Sequence, residues 1–330
     1  MFIREKKTSC GNYTEVDIIP RTEEAEIASR GKRGKKRKAA KPKQNAINDK
    51  NAKRYLIQLG NGNFGRGDIH LTLTYKDKTL PETVEAAEKE VSNYLRRVAY
   101  RRGKLGLPPL KYILVTEYKF AKGEEAEKPK RIHHHIIMNG DGIDRDMVEA
   151  MWTHKRINWK RYETDLEYRH SIDRIGYANA DSIQPDDDTG IEALCRYITK
   201  DPQGKKRYSS SRNLERPDTE RNDQTEKEDA DKSQWHASRN LEEPTEKCND
   251  YKYSKKKVAE LATSSDGGLA AFKEIYKDYD VVSVEPIYYE QTGWHIYLKM
   301  WKKPKPTERK KKKNERQQKQ HRKADIPPPT

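Results

Sequence analysis

Ile132-His-His-His-Ile-Ile-Met138 sets three imidazoles inside an apolar run, and the reading of that run decides the fold. In a strand, successive side chains point to opposite faces, so His133 and His135 share one side while His134 joins Ile132 and Ile136 on the other. Upstream, Lys111-Tyr-Ile-Leu-Val-Thr-Glu-Tyr118 reads as a second strand, and the short charged loop between the two predicts an antiparallel hairpin. Asp68-Ile-His-Leu-Thr-Leu-Thr-Tyr75 alternates strictly, with Ile69, Leu71, Leu73 and Tyr75 on one face and His70, Thr72 and Thr74 on the other.

Helical patterns lie between and around these strands. Residues 47 to 59 predict a helix closed by Gly60 and Gly62. Leu80-Pro-Glu-Thr83 opens another, with Val84, Ala87, Val91, Leu95 and Val98 on one stripe and Arg96, Arg97, Arg101 and Arg102 on the polar face. Asp144 is placed to cap a helix running to Trp152. The stretch from Lys160 to Asp188 is polar with little pattern. Thr189-Gly-Ile-Glu192 has the form of a capping box and predicts a helix through Lys200. Farther on, Val258 to Tyr276 reads as helix and turn, and 281 to 289 with 294 to 300 as a hairpin around Gln291-Thr-Gly293. Helices interleaved with antiparallel hairpins predict an α+β fold.

Charge sharpens the domain plan. The 330 residues carry a net charge of +16, and 37% of them are charged. Residues 30 to 43 hold nine Lys or Arg and no acid, and residues 302 to 323 hold twelve against two acids. The remainder is therefore close to neutral, and the basic tracts read as disordered arms suited to polyanions. Ser211-Arg-Asn-Leu-Glu-Arg-Pro217 recurs as Ser238-Arg-Asn-Leu-Glu-Glu-Pro244 within an acidic stretch that reads as a linker. The plan is a disordered basic arm over 1–45, a catalytic domain over 46–217, an acidic linker over 218–250, a helix and hairpin segment over 251–303, and a disordered basic tail over 304–330. No apolar run approaches the ~18 residues of a membrane span. Three scattered cysteines without a C-x-x-C pair exclude a disulfide scaffold, and a charged start without an apolar core predicts no secretory signal and a reducing cytoplasm.

Two imidazoles at i and i+2 on one strand face can bind a divalent ion together, where a lone histidine would more often just hydrogen-bond in a sheet. Ile113, Val115 and Glu117 share a face of the neighbouring strand, and the obvious hairpin register brings Glu117 near His133 and His135. Two imidazoles and a carboxylate suit Mn²⁺ or Mg²⁺, and a non-haem iron as well, so spacing alone leaves the reaction open. On the last helix of that region Ile191, Leu194, Cys195 and Ile198 form the buried arc. Tyr197 sits beside it, with Lys200 at i+3. A tyrosine there is packing or a nucleophile; a phenol at neutral pH needs a base or cation nearby to attack.

Taken in order, Asp68-Ile-His-Leu-Thr-Leu-Thr-Tyr75, Thr116-Glu117, Arg131-Ile-His-His-His-Ile-Ile-Met-Asn139, Tyr197-Ile-Thr-Lys200 and Ser211-Arg-Asn-Leu214 resemble the rolling-circle replication initiators. These are His-hydrophobic-His (HUH) endonucleases of plasmids, phages and integrated elements. The resemblance covers roughly residues 46 to 217, and the Tyr288 to Met300 hairpin is similar to the C-terminal end of that subgroup. It implies an antiparallel, ferredoxin- or RRM-like sheet with flanking helices. It further implies Mg²⁺ or Mn²⁺ on His133, His135 and Glu117, Tyr197 as a single nucleophilic tyrosine, and Lys200 assisting at the phosphate. The implied partners are single-stranded DNA at a replication origin and a host helicase and polymerase, in a bacterial cytoplasm. Relaxases usually place the tyrosine before the His pair, and transposases of this chemistry are usually shorter. A non-catalytic nucleic-acid-binding protein with a structural metal would normally recruit four His or Cys ligands, and a metal oxygenase has no pocket signal here.

Overall fold

The computed structural model describes residues 1–30, 42–120, 129–199, 209–210 and 247–304. The expected arms around 31–41 and 305–330, and both copies of the repeated Ser-Arg-Asn-Leu segment, lie outside the described residues. The fold is α+β, with two five-stranded sheets. It divides into two compact units, one built from both ends of the chain and the other from its middle.

The first unit opens with β1 (Phe2–Cys10), β2 (Tyr13–Arg21) and α1 (Glu23–Arg30). This corrects the plan of a disordered arm over 1–45, at least for its first thirty residues. Alternation there is masked because charged groups are buried with partners far along the chain. Glu5 is buried and accepts hydrogen bonds from Lys252 Nζ at 2.6 Å and from the Tyr276 hydroxyl. Arg4 pairs with Glu26 at 2.6 Å and with Asp250 at 2.7 Å.

The second unit holds α2 (Pro42–Asn63), β3 (Ile69–Leu73), α3 (Val84–Lys104), β4 (Tyr112–Phe120), β5 (Pro129–Met138), α4 (Arg145–Ala150), α5 (Trp159–Thr164), α6 (Leu166–His170), β6 (Ala178–Ser182), α7 (Glu192–Ile198) and β7 (Ser209–Ser210). Its sheet runs β6-β3-β5-β4-β7, with β5 in the middle and antiparallel pairing to β3 and β4. Three elements, α5, α6 and β6, emerge from the stretch whose sequence shows little pattern. The first unit then resumes with β8 (Lys247–Asn249), α8 (Lys255–Ala262), α9 (Leu269–Ile275), β9 (Tyr279–Tyr289) and β10 (Gly293–Lys302). Its sheet runs β8-β1-β2-β10-β9, so the C-terminal hairpin pairs with the N-terminal strand β2. The acidic linker therefore ends earlier than residue 250, because Lys247 to Asn249 pair with β1.

Two cores sandwich the middle sheet. Ile69, Leu71, Leu73, Leu114, Ile136 and Met138 pack on one face with Val91, Tyr94, Leu95 and Val98 of α3 and with Val148 and Trp152. Thr83 caps α3 by accepting from the Ala86 N–H at 3.1 Å, and Asp144 caps α4 by accepting from Asp146 N–H at 3.0 Å. Arg102 does not stay on the polar face. It is fully buried, and its guanidinium donates to the carbonyls of Pro108, Asn139 and Gly140 and to Asp141, which satisfies the charge it takes out of water.

On the other face, Ile113, Val115 and Ile137 pack with Leu56 and Leu59 of α2 and with Ile191, Cys195 and Ile198 of α7. The expected capping box does not form. Thr189 Oγ1 donates to Asp186 at 3.0 Å, Glu192 pairs with Arg196 at 2.6 Å, and the Ile191 N–H instead donates to Asn61 Oδ1 of α2 at 2.8 Å. The α2 helix also runs through Gly60 rather than stopping there. A Cβ at Gly60 would stand 2.6 Å from Cys195 Sγ and 3.1 Å from Ile191 Cδ1, so only glycine lets α7 come this close. Gly60→Ala is expected to lower stability by about 1–3 kcal/mol through overpacking, read as a lower urea midpoint, with Cys195→Ala restoring part of the loss.

Candidate active site

The pleat of β5 separates the three histidines as its sequence predicts. His134 is fully buried on the α3 face, with Tyr75 Oη 2.9 Å from Nε2 and Thr116 Oγ1 3.0 Å from Nδ1. A neutral imidazole offers one donor and one acceptor, so these two hydroxyls satisfy it completely. Burial, reinforced by the neighbouring His135 and His133, pushes its pKa down to about 3. His134 is thus a neutral structural residue, tied between β3 and β4 below the sheet.

His133 and His135 face the other way. His133 stands directly opposite Glu117 in the β4–β5 ladder, and His135 opposite Val115. Across β3, Thr72 opposes His135 and His70 opposes Ile137, which puts His70 on the same face. His135 is buried; its Nε2 lies 3.8 Å from Glu117 Oε2, and its Nδ1 lies 3.4 Å from Thr72 Oγ1. The rings of His70 and His135 stack nearly parallel, with centroids 5.7 Å apart. Tyr197 sets its edge against both, at 5.7 Å from His135 and 6.5 Å from His70. It does so while remaining 52% exposed, so the phenol is open to a large substrate.

Of the residues singled out in the sequence, the structure brings Glu117, His135 and Tyr197 together, with His133 across from Glu117 on the same face. Lys200 lies outside the described residues. His70 was not among them, although its alternation already set it on the polar side of its strand. Only the adjacency of β3 and β5 reveals that this side is the site. Burial lowers the pKa of His70 against an opposing pull from Asp181, and its Nε2 is buried without a hydrogen-bond partner among the described residues.

Among the described residues no three His, Cys, Asp or Glu side chains converge closely enough, as they stand, to hold a metal ion. The donor types nevertheless suit one. Imidazoles, a carboxylate and an orphaned ring nitrogen on one sheet face are the set a divalent cation with open positions takes. The cysteines do not contribute to a closed site: Cys195 is buried under α2, where burial pushes its thiol up to about 12.

An antiparallel sheet that presents histidines, a carboxylate and an exposed tyrosine on one face defines the class of protein. Residues 68–202 match the family model for the replication-associated protein ORF2, a rolling-circle replication initiator family. The match spans the whole constellation from His70 to Tyr197 and gives this part of the chain a replication-associated initiator role. No curated protein and no solved structure matches the chain. No helix among the described residues is long and apolar enough to cross a membrane.

The depressed His134 pKa has a consequence for stability. A histidine that is neutral when folded but titrates near 6.5 when unfolded stabilises the fold fully above pH 6.5, and that contribution drains away as pH falls toward about 3. His134→Gln should therefore flatten the loss of urea stability between pH 7 and pH 4 relative to the unaltered protein, measured by denaturation at each pH.

Proposed function

We propose that the second unit nicks and rejoins single-stranded DNA through Tyr197, to initiate rolling-circle replication of a plasmid, phage or integrated element. The observation that carries this reading is the exposed Tyr197 ring set edge-on against the His70–His135 pair, beside Glu117. A tyrosine there for packing alone would bury its ring among the residues of α7, whereas this one stands at the open side of a polar cluster.

In this reading Tyr197 Oη forms a bond to a backbone phosphorus and the P–O3′ bond breaks. The phenol proton is released, the departing 3′ oxygen takes up a proton, and the products are a 5′-phosphotyrosine and a free 3′-OH. The 3′-OH primes a host polymerase, with a host helicase opening the duplex, in the bacterial cytoplasm. Attack by the 3′-OH of a second strand on the phosphotyrosine reverses the step and joins ends. His133, His135 and Glu117 are the residues that would hold Mg²⁺ or Mn²⁺, and the ion supplies Lewis-acid polarisation of the scissile phosphate. The remaining tasks belong to the chain itself. Thr72 orients the His135 ring, and the His70 ring walls the other side of Tyr197, limiting where its phenol can swing. Lys200, one helical turn on, is assigned to the phosphate charge.

A closed structural metal site in a non-catalytic protein finds no support in four converging ligands, so the nicking reading stands ahead of it. The test is a covalent one. Incubation with single-stranded oligonucleotides tiling the DNA around its own gene, with Mn²⁺, should yield a protein–DNA band that survives denaturation. EDTA should abolish the band, and Tyr197→Phe should lose it while keeping its fold. A band that persists in Tyr197→Phe refutes the nucleophile.

A further inference from the structure

Beyond the row of site residues, the edge of the sheet carries a cleft of about 460 Å³ that the nicking chemistry does not use, lined among others by Lys76, Arg169, His170, Arg174 and Tyr177. Its volume falls within the range of ligand sites. Two features separate it from an ordinary surface hollow.

The first is the position of Tyr177. Leu73 opposes both His134 on β5 and Ala178 on β6. One residue farther, the Thr74 N–H donates to the Tyr177 carbonyl at 2.9 Å, and the Tyr177 N–H donates to Thr74 Oγ1 at 3.1 Å. The pleat therefore places Tyr177, Thr74, His133 and Glu117 in one row across the sheet and on one face. Tyr177 lies two strands from His133, ~10 Å at the usual strand spacing. Its ring is 66% exposed, which gives no core reason for an aromatic residue here. The neighbouring backbone is fixed: a Cβ on Gly176 would run into the Thr74 carbonyl oxygen, so the chain passes tight against β3 and presents Tyr177 outward.

The second is the charge beside it. Lys76 pairs with Asp173 at 2.9 Å with both partners about half exposed, and Arg174 pairs with Glu149 at 3.2 Å. Such water-exposed pairs are weak and exchange readily for a phosphate. Arg169 is held by the Tyr162 carbonyl and lies over the Tyr162 ring, so its charge is oriented by groups that do not neutralise it. An exposed aromatic face next to a small cluster of cations is the arrangement that binds single strands, with a base stacked on the ring and phosphates on the cations.

We propose that this cleft seats the single-stranded DNA flanking the scissile phosphate, a base stacking on Tyr177 and the adjoining backbone running past Lys76 and Arg174. The proposal rests on the nicking reading for the identity of its strand, but its own test is binding.

The experiment uses the full chain and a fluorescein-labelled oligo(dT) single strand, followed by photocrosslinking with the same strand carrying 5-bromodeoxyuridine. Tyr177→Ala should bind about tenfold more weakly, as loss of one stacked base would produce, while Tyr177→Trp should retain binding. Lys76→Gln should reduce the slope of log affinity against log salt by about 1. The crosslink should map to Tyr177. Tyr177→Ala binding as tightly as the unaltered chain, with the crosslink elsewhere, overturns the cleft. The origin-strand adduct assay keeps the two readings apart. An adduct that forms equally well without Tyr177 leaves nicking intact and refutes the cleft. Binding through Tyr177 with no adduct under any condition supports the cleft and refutes nicking. No binding of single strands at all overturns both.

Discussion

The pleat of β5 sends three consecutive imidazoles to two different environments, and most of the second unit follows from that separation. Below the sheet, His134 is held neutral by the hydroxyls of Tyr75 and Thr116, so it binds the flanking strands β3 and β4 to the central one without bringing charge into the core. Above it, His133 and His135 remain among polar neighbours, with Glu117 and His70 contributed by those same flanking strands. A register slip of one residue would exchange the two sets, burying the candidate site and exposing the structural histidine. The apolar residues around His134 and the hydroxyls aimed at it are what forbid that slip.

The tyrosine depends on a different constraint, the close approach of two helices. The α7 helix has only two turns, too short to persist alone, and its expected capping box is absent. What fixes it is α2: Asn61 accepts from the Ile191 N–H, and Gly60 gives Cys195 and Ile191 room to seat. Because Cys195 and Ile198 point into that contact, Tyr197 between them is left on the rim, against the histidines. Packing far below the surface thus sets where the phenol stands.

Much of this was legible from the sequence, for a physical reason that also marks its limit. Alternation and helix stripes report which side of an element is apolar, and they correctly separated His134 from its neighbours, paired Glu117 with His133, and placed the caps at Thr83 and Asp144. They do not report which strands are neighbours, so His70 stayed invisible until β3 was seen beside β5. They fail outright where charged residues are buried. The N-terminal strands carry Glu5, Glu15 and Asp17 at buried positions, and the groups that compensate Glu5, Lys252 and Tyr276, lie at the other end of the chain. No local pattern could announce partners at that separation. Asp186, by taking the Thr189 hydroxyl, defeated the capping box in the same way, through a competing hydrogen bond that motif spacing does not weigh.

The central claim is that the sheet face carrying His135, Glu117 and His70 exists to serve the Tyr197 phenol. The most direct measurement is peptide mapping by mass spectrometry after the protein has reacted with an origin-containing single strand and the DNA has been digested away. The account predicts a residual nucleotide mass on the tryptic peptide Tyr197-Ile-Thr-Lys200, attached at the tyrosine. The same mass on any other residue, with the Tyr197 peptide unmodified, would contradict it.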